Sequence, residues 1–380
     1  MSIKSNDNRD LAASNDQVGP AEGTNTVLFR KGLLADLGLE LAYFSGLSHL
    51  LERRTGGAGA ILQFRHVRPR RDDPFQPLRS RDITPEFLDR AISAIKRWDF
   101  DFLSIEEVVE RSRKAALTRR FACLTFDGAH RDFMTHAYPV LSRHRVPFAL
   151  YVPAGFIDGI GKAWWLALEQ VIARNHRIGL VMNRGEQHFF AATLSEKYQL
   201  YEVLHAWMMT LSPDDVATAI ADLCGRYGVN IDLASRDTSM SWQDLAKLAR
   251  DPQATIGSAT VNYSNLARTK GTTVLREMTM GRTVIETALN GPCRHFSYPF
   301  GGQDSFGPRE MMLAREAGFA SAVSAVPGVV RSDGRSDPMG LPRIPWDGRR
   351  QSLRALRVVM SGLTVRTPKA SKSEPAKNYG

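Results

Sequence analysis

Short apolar runs and segments of helical spacing take turns along the chain from Ala60 onward. Strands separated by helices cannot be joined as tight hairpins. They run parallel, in an open sheet or a closed barrel. The strand candidates are Ala60–Val67, Phe100–Leu103, Phe121–Asp127, Phe148–Val152, Thr255–Thr260, Phe296–Phe300 and Ala320–Ala325. Thr84-Pro85-Glu86 places a capping hydroxyl before a proline at the first helical position. Ser104-Ile105-Glu106-Glu107 is a capping box, and Ser212-Pro213-Asp214-Asp215 and Ser241-Trp242-Gln243-Asp244 are similar helix starts.

The alternation lapses between about residues 159 and 241, where mainly helical patterns follow Ala163-Trp164-Trp165-Leu166. That stretch reads as a helical insertion within a barrel domain spanning 55–350, with Trp164 and Trp165 in its core rather than forming a sugar-stacking platform. Residues 24–54 form an amphipathic helical lead-in with Leu34, Leu37, Leu41, Phe44 and Leu51 on one face. Its polar face is not rich in Lys or Arg, which favours packing on a core over lying on a membrane. Residues 1–23 and 364–380 are polar and are expected to be disordered tails.

Of the 380 residues, 43% are hydrophobic and 24% charged, which excludes a wholly disordered, collagen-like or polytopic membrane chain. Fifty Lys and Arg against 40 Asp and Glu give a net charge of +10, which favours anionic partners. No nucleic-acid-binding module accompanies that charge, so nucleic acid is disfavoured. Cys123, Cys224 and Cys293 cannot all pair and form no CxxC; they read as reduced thiols and rule out a cysteine zinc site. With no apolar core in residues 1–23 to suggest a secretory signal, a cytoplasmic location is expected.

The most informative segment is Leu124-Thr125-Phe126-Asp127-Gly128-Ala129-His130-Arg131-Asp132. An apolar strand ends in a carboxylate, turns through glycine and enters a helix over Phe133–His144. Carboxylates at the C-terminal ends of parallel strands face the functional end of such a fold, so Asp127 is a candidate base or metal ligand. A turn-forming Asp-Gly pair that caps the next helix is the alternative.

Two further segments, Ile256-Gly257-Ser258-Ala259-Thr260-Val261-Asn262-Tyr263 and Arg294-His295-Phe296-Ser297-Tyr298-Pro299-Phe300-Gly301, follow Asp127 in order, with Val146-Pro147-Phe148-Ala149-Leu150-Tyr151-Val152-Pro153 between. In this order the chain resembles the polysaccharide deacetylase family, which includes nodulation-type (NodB-like) chitooligosaccharide deacetylases. The resemblance runs from about residue 51 to 348. It implies an α/β fold, a distorted (β/α)7-type barrel, and a hydrolase that removes acetyl groups from sugars with a divalent metal such as zinc. Three protein ligands leave one position of such an ion open for a water that ionises near neutral pH.

The family pattern is Thr-Phe-Asp-Asp-Gly, then a His followed four residues later by a second His. By that match Asp127 is the catalytic base and Arg294 the arginine that orients it, while Tyr298, Pro299, Phe300 and Gly301 line the sugar groove. Leu341-Pro342-Arg343-Ile344 matches a late barrel strand. The metal positions, however, hold Gly128, Ala259 and Tyr263. Glycine and alanine have no donor atom, and a phenol is a poor zinc ligand at neutral pH. No histidine follows His295, so a late-strand general acid is missing as well. At the first strand, Phe64-Arg65-His66-Val67 exchanges the His and Arg of close relatives, which is expected to turn outward a side chain that otherwise points in.

No bound cofactor is therefore expected. The favoured reading is a pseudo-deacetylase that binds an acetylated, possibly anionic, glycan or oligosaccharide, or a protein partner. The alternative is an active N- or O-deacetylase with a rearranged metal site, for instance one using His130 with Asp127. The basic run Arg65, Arg68, Arg70 and Arg71 is either a solvated face or an anion-binding lip of the groove. Because the surrounding motifs are intact, Gly128→Asp, Ala259→His and Tyr263→His together are expected to restore metal binding.

Overall fold

Apolar runs buried on both faces form a ring of parallel strands. The computed structural model describes residues 39–41, 43–45, 55–112, 119–182, 185–331, 333 and 336–363. Its strands are β1 (Gly59–Phe64), β2 (His66–Val67), β3 (Asp82–Ile83), β4 (Asp101–Phe102), β5 (Phe121–Asp127), β6 (Phe148–Val152), β7 (Arg177–Met182), β8 (Gly185–Phe190), β9 (Ala254–Ser258), β10 (His295–Ser297), β11 (Ser321–Pro327) and β12 (Leu341–Pro345). The order β1-β12-β11-β10-β9-β6-β5 closes on itself through β5 against β1, with every pairing parallel. The result is a seven-strand barrel with helices outside, the distorted (β/α)7 architecture. β4 attaches to the start of β5.

The distortion has a location. β1 and β5 stay in register from Gly59↔Phe121 to Phe64↔Phe126, whereas β10 meets β9 at the single pair Phe296↔Ser258 and β11–β12 slips register between Val323 and Pro327. The period-two alternation of strands sorts side chains between the two barrel faces. Leu62, Phe64, Leu124, Phe126, Leu150, Phe296 and Ile344 face outward onto the helix layer, with Phe87, Leu88 and Ile92. Ile61, Cys123, Ala149, Tyr151, Val323 and Leu341 belong to a second cluster with the residues of the insertion. The same inward parity carries Gln63, Thr125, Asp127, Ser297 and Arg343 into the barrel.

The helix starts form as the sequence indicates. Thr84 accepts from the Phe87 amide, and Ser104 and Glu107 cap each other's amides. The insertion is mainly helical as expected but also holds a strand pair: β7 and β8 form an antiparallel hairpin. Glu186, Gln187 and His188 make β8 too polar to stand out as a strand. β12 carries Pro342 and Pro345, which mask a strand in a propensity reading.

The two tails, 1–23 and 364–380, and most of the 24–54 lead-in lie outside the described residues. Within the lead-in, Leu39 is buried while Leu41 and Phe44 are exposed, so the packed face differs from the expected one. Among the described residues no helix is long and apolar enough to cross a membrane.

Candidate functional site

Asp127 ends β5 inside the barrel, where a lone carboxylate would be costly to bury. It is matched by Arg343 from β12, whose Nη1 and Nη2 meet Oδ1 and Oδ2 at 2.8 Å each. The two side chains are 1% and 0% exposed. Gln63 Nε2 donates to Oδ2 at 2.5 Å and Ser297 Oγ to Oδ1 at 3.2 Å, so four donors fill the carboxylate's acceptor sites. Arg343 also donates to the Ser324 carbonyl and to Thr125 Oγ1. Burial alone would raise the Asp127 pKa, but Arg343, with help from Arg65 and Gln63, holds it below the ordinary carboxylate value. Asp127 is thus a fully engaged anchor between strands, ionised at neutral pH, with no acceptor left over to take a proton from a water or sugar.

The next turn is built around glycine. Gly128 has φ 108°, and a Cβ there would lie 2.3 Å from His130 Nε2. The imidazole of His130 fills the space that a side chain at 128 would need. It stacks on His66 with ring centroids 3.9 Å apart, and His66 Nδ1 contacts Asp132 Oδ2 at 2.7 Å. Burial, reinforced by Arg68 and Arg81, lowers the His66 pKa; burial and then His66 lower that of His130. Both imidazoles are neutral at pH 7. Burial raises the Asp132 pKa above its ordinary value.

A pocket of about 20 Å³ lies over this cluster, lined by Arg65, His66, Arg81, Gly128, His130 and Tyr263 among others. Arg65 does not turn away to solvent: the strand breaks at this residue, and both Arg65 and His66 face the pocket. Tyr263 packs its ring against Trp165 and Phe300, with the Arg65 guanidinium 5.8 Å from its centre. Ala259 is fully buried and its amide donates to the Val152 carbonyl.

These residues do not fit a divalent metal. The space beside Gly128 is taken, Ala259 presents a methyl group, and stacked rings do not aim their lone pairs at one point. Two guanidinium groups share the pocket and repel a cation. Among the described residues no group of three or more His, Cys, Asp and Glu side chains could hold an ion. Gly128→Asp is expected to lower stability by about 1–3 kcal/mol, since it forces a non-glycine residue into this backbone and displaces His130. The three changes suggested by the intact motifs are for the same reason insufficient. Denaturant unfolding and zinc titration of the triple variant check this; stoichiometric zinc uptake by a stably folded triple variant would contradict it.

The other motif residues scatter. Arg294 precedes β10, so it lies at the opposite end of the barrel from Asp127. It is exposed beside Glu106, Thr255 and His295 and does not orient Asp127; Arg343 does. Tyr298 is buried in the core, stacked on Phe306 and donating to the Met339 carbonyl. Pro299 and Gly301 are buried too. Of the four, Phe300 alone reaches a cavity, one of about 240 Å³ walled by Trp164, Met208, Ile220 and Tyr263 among others. Trp164 and Trp165 are both buried and each also lines a pocket. In the basic run, Arg68 pairs with Asp82 at 2.7 Å and Arg71 reaches Glu169 at 3.4 Å, while Arg70 is exposed.

At the barrel's N-terminal end His295 joins Ser321 Oγ (2.8 Å) to Glu106 (2.9 Å). The order resembles a nucleophile, base and carboxylate, but Ser321 is fully buried, so the trio ties β10 and β11 to the helix that carries Glu106. The residues missed by sequence reasoning are Arg343, Gln63, Ser297 and Arg81. An arginine between Leu341 and Ile344 in a barrel strand was the available signal, because a charge there must find a counter-charge.

The family model for polysaccharide deacetylase matches residues 114–319. Among solved structures, the Streptococcus pyogenes deacetylase PplD in complex with acetate is 15% identical, with a TM-score of 0.52 over 79% of this chain and 97% of that one. IcaB from Ammonifex degensii is 13% identical, with a TM-score of 0.51 over 80% and 98%. BC0361, a polysaccharide deacetylase from Bacillus cereus, is 9% identical, with a TM-score of 0.50 over 79% and 68%. No curated protein matches the chain significantly. Identities this low establish a shared fold, and the family match covers more than half the sequence: the chain belongs to the polysaccharide deacetylase family.

Proposed function

We propose that this protein binds an acetylated glycan at the C-terminal mouth of the barrel without hydrolysing it, as a metal-free member of its family. The observation that carries this reading is His130, whose imidazole occupies the space of a side chain at Gly128. Saturation of Asp127 by four donors supports it, because the carboxylate has no capacity left as a base. An active deacetylase with a rearranged metal site would need His130 and Asp127 to converge on an ion; Asp127 faces Arg343 instead, and His130 stacks on His66. A cytoplasmic setting belongs to the proposal, since Cys123, Cys224 and Cys293 are all free and buried.

The test is acetate release from N-acetylated chitooligosaccharides and O-acetylated oligosaccharides, with and without added zinc, beside calorimetric binding of the same sugars. We expect no acetate above the protein-free rate. Binding should fall in the millimolar-to-micromolar range, about −4 to −8 kcal/mol. Zinc-dependent acetate release that Asp127→Asn abolishes would overturn the proposal. Capture of a protein partner with no sugar binding would move the function to protein recognition.

A further inference from the structure

Two guanidinium groups in the small pocket over Asp127 form no ion pair of their own. Arg65 and Arg81 both line it, both are half-buried, and among the described residues neither meets a carboxylate. Their neighbours do: Arg68 pairs with Asp82, Arg71 with Glu169 and Arg343 with Asp127. The Tyr263 ring takes one face of Arg65, which leaves the guanidinium's in-plane N–H groups free. With Asp127 and Asp82 already matched, Asp132 against Arg65 and Arg81 leaves an excess of positive charge. Burial, followed by the charge of Arg65, lowers the Arg81 pKa to about 10, still well above neutral pH.

Uncharged donors add to the excess. The hydroxyl of Tyr263 and Nδ1 of His130 are buried without a hydrogen-bond partner. An unmet buried donor costs about 1–3 kcal/mol, so such groups normally have a partner. Both belong to residues that line the same pocket as the two arginines. Arginines and a phenol, with an imidazole nitrogen that donates in one of its two neutral tautomers, ask for the same thing, an acceptor with negative charge.

We propose that this pocket binds the carboxylate of an acidic sugar in the glycan, so that a position holding a cation in the family pattern has been converted into an anion site. The inference rests on the glycan-binding reading above. A carboxylate suits the space better than a phosphate or sulfate. The pocket is small, about 20 Å³, and a planar pair of oxygens presents its edge to a guanidinium fork.

The experiment titrates the full chain by calorimetry with oligogalacturonate, a neutral N-acetylchitooligosaccharide, sodium acetate and inorganic phosphate, at low and moderate salt. Oligogalacturonate should bind most tightly and weaken as salt rises. Arg65→Gln and Arg81→Gln should each reduce its affinity about tenfold, or about 1.4 kcal/mol, and Tyr263→Phe should reduce it less. Binding of the neutral sugar should be unchanged by the arginine variants. Without ligand, Arg81→Gln should leave the melting temperature unchanged or higher, because it removes an unpaired like charge; a marked drop would make Arg81 a fold-holding residue and overturn the proposal. Binding of the neutral sugar but not the acidic one overturns the anion site while the glycan reading stands. Arginine-dependent binding of phosphate or acetate alone overturns the acidic-sugar assignment. No binding by any probe overturns both.

Discussion

Arg343→Ala is expected to lower folding stability by about 3–5 kcal/mol, the usual result of removing one member of a buried ion pair. The change strands the Asp127 carboxylate in the barrel with only Gln63 and Ser297 as donors and leaves the Thr125 hydroxyl and the Ser324 carbonyl without their guanidinium contacts. Asp127→Asn with Arg343→Met should recover much of the loss, because the second change removes the buried charge that the first leaves behind. Because the Asp127 pKa is depressed in the folded state, its contribution is complete at neutral pH and lost only in acid, as pH falls through the folded value. Urea unfolding at pH 7 measures the effect. A loss of less than about 1 kcal/mol for Arg343→Ala would reduce the pair to the value of a surface contact and remove its role as an anchor.

Mild acid should weaken the protein well before the carboxylates protonate. His66, His130 and His205 are each held neutral in the fold: burial leads in all three, and His205 is lowered to about 4. Arg65, Arg68, Arg71, Arg81 and Asp132 surround His66; His66, Asp132, Arg65 and Arg68 surround His130; Arg65 and Arg81 act on His205. The unfolded chain takes up these protons near pH 6.5 and the folded chain does not, so stability rises with pH through this window and falls below it. From about pH 6.5 to about pH 5 His205 alone should cost about 1.6 kcal/mol, and His66 and His130 add to the loss in the same direction. Burial raises the pKa of Asp132, Asp82 and Glu169, which works the other way nearer the carboxylate range. Unfolding titrations across these pH values should show the slope, and His66→Gln with His205→Gln should flatten it. Stability that is level from pH 6.5 to pH 5 would show these imidazoles to be charged, or solvated, in the fold.

Much of the barrel was legible because its strands are buried on both faces and read as unbroken apolar runs. The expected spans Phe121–Asp127 and Phe148–Val152 coincide with β5 and β6. β12 was visible only through family resemblance, its prolines hiding it, and with it went the role of Arg343. Strand polarity alone places Arg294, just before β10, at the far end from Asp127, a rule the motif match overrode. The loss of donors at Gly128, Ala259 and Tyr263 was readable residue by residue. What replaced them was not: the stacking of His66 on His130 and the sharing of one pocket by Arg65 and Arg81 join residues from separate segments, and no local pattern records them.

The most direct measurement is the metal content of the purified full chain after incubation with zinc and removal of unbound ion, read by mass spectrometry of the metal. The geometry around Gly128 and His130 predicts far less than one zinc, cobalt, nickel or manganese ion per chain, with no change in Asp127→Asn or His130→Gln. One tightly held ion per chain, lost in either variant, would contradict it.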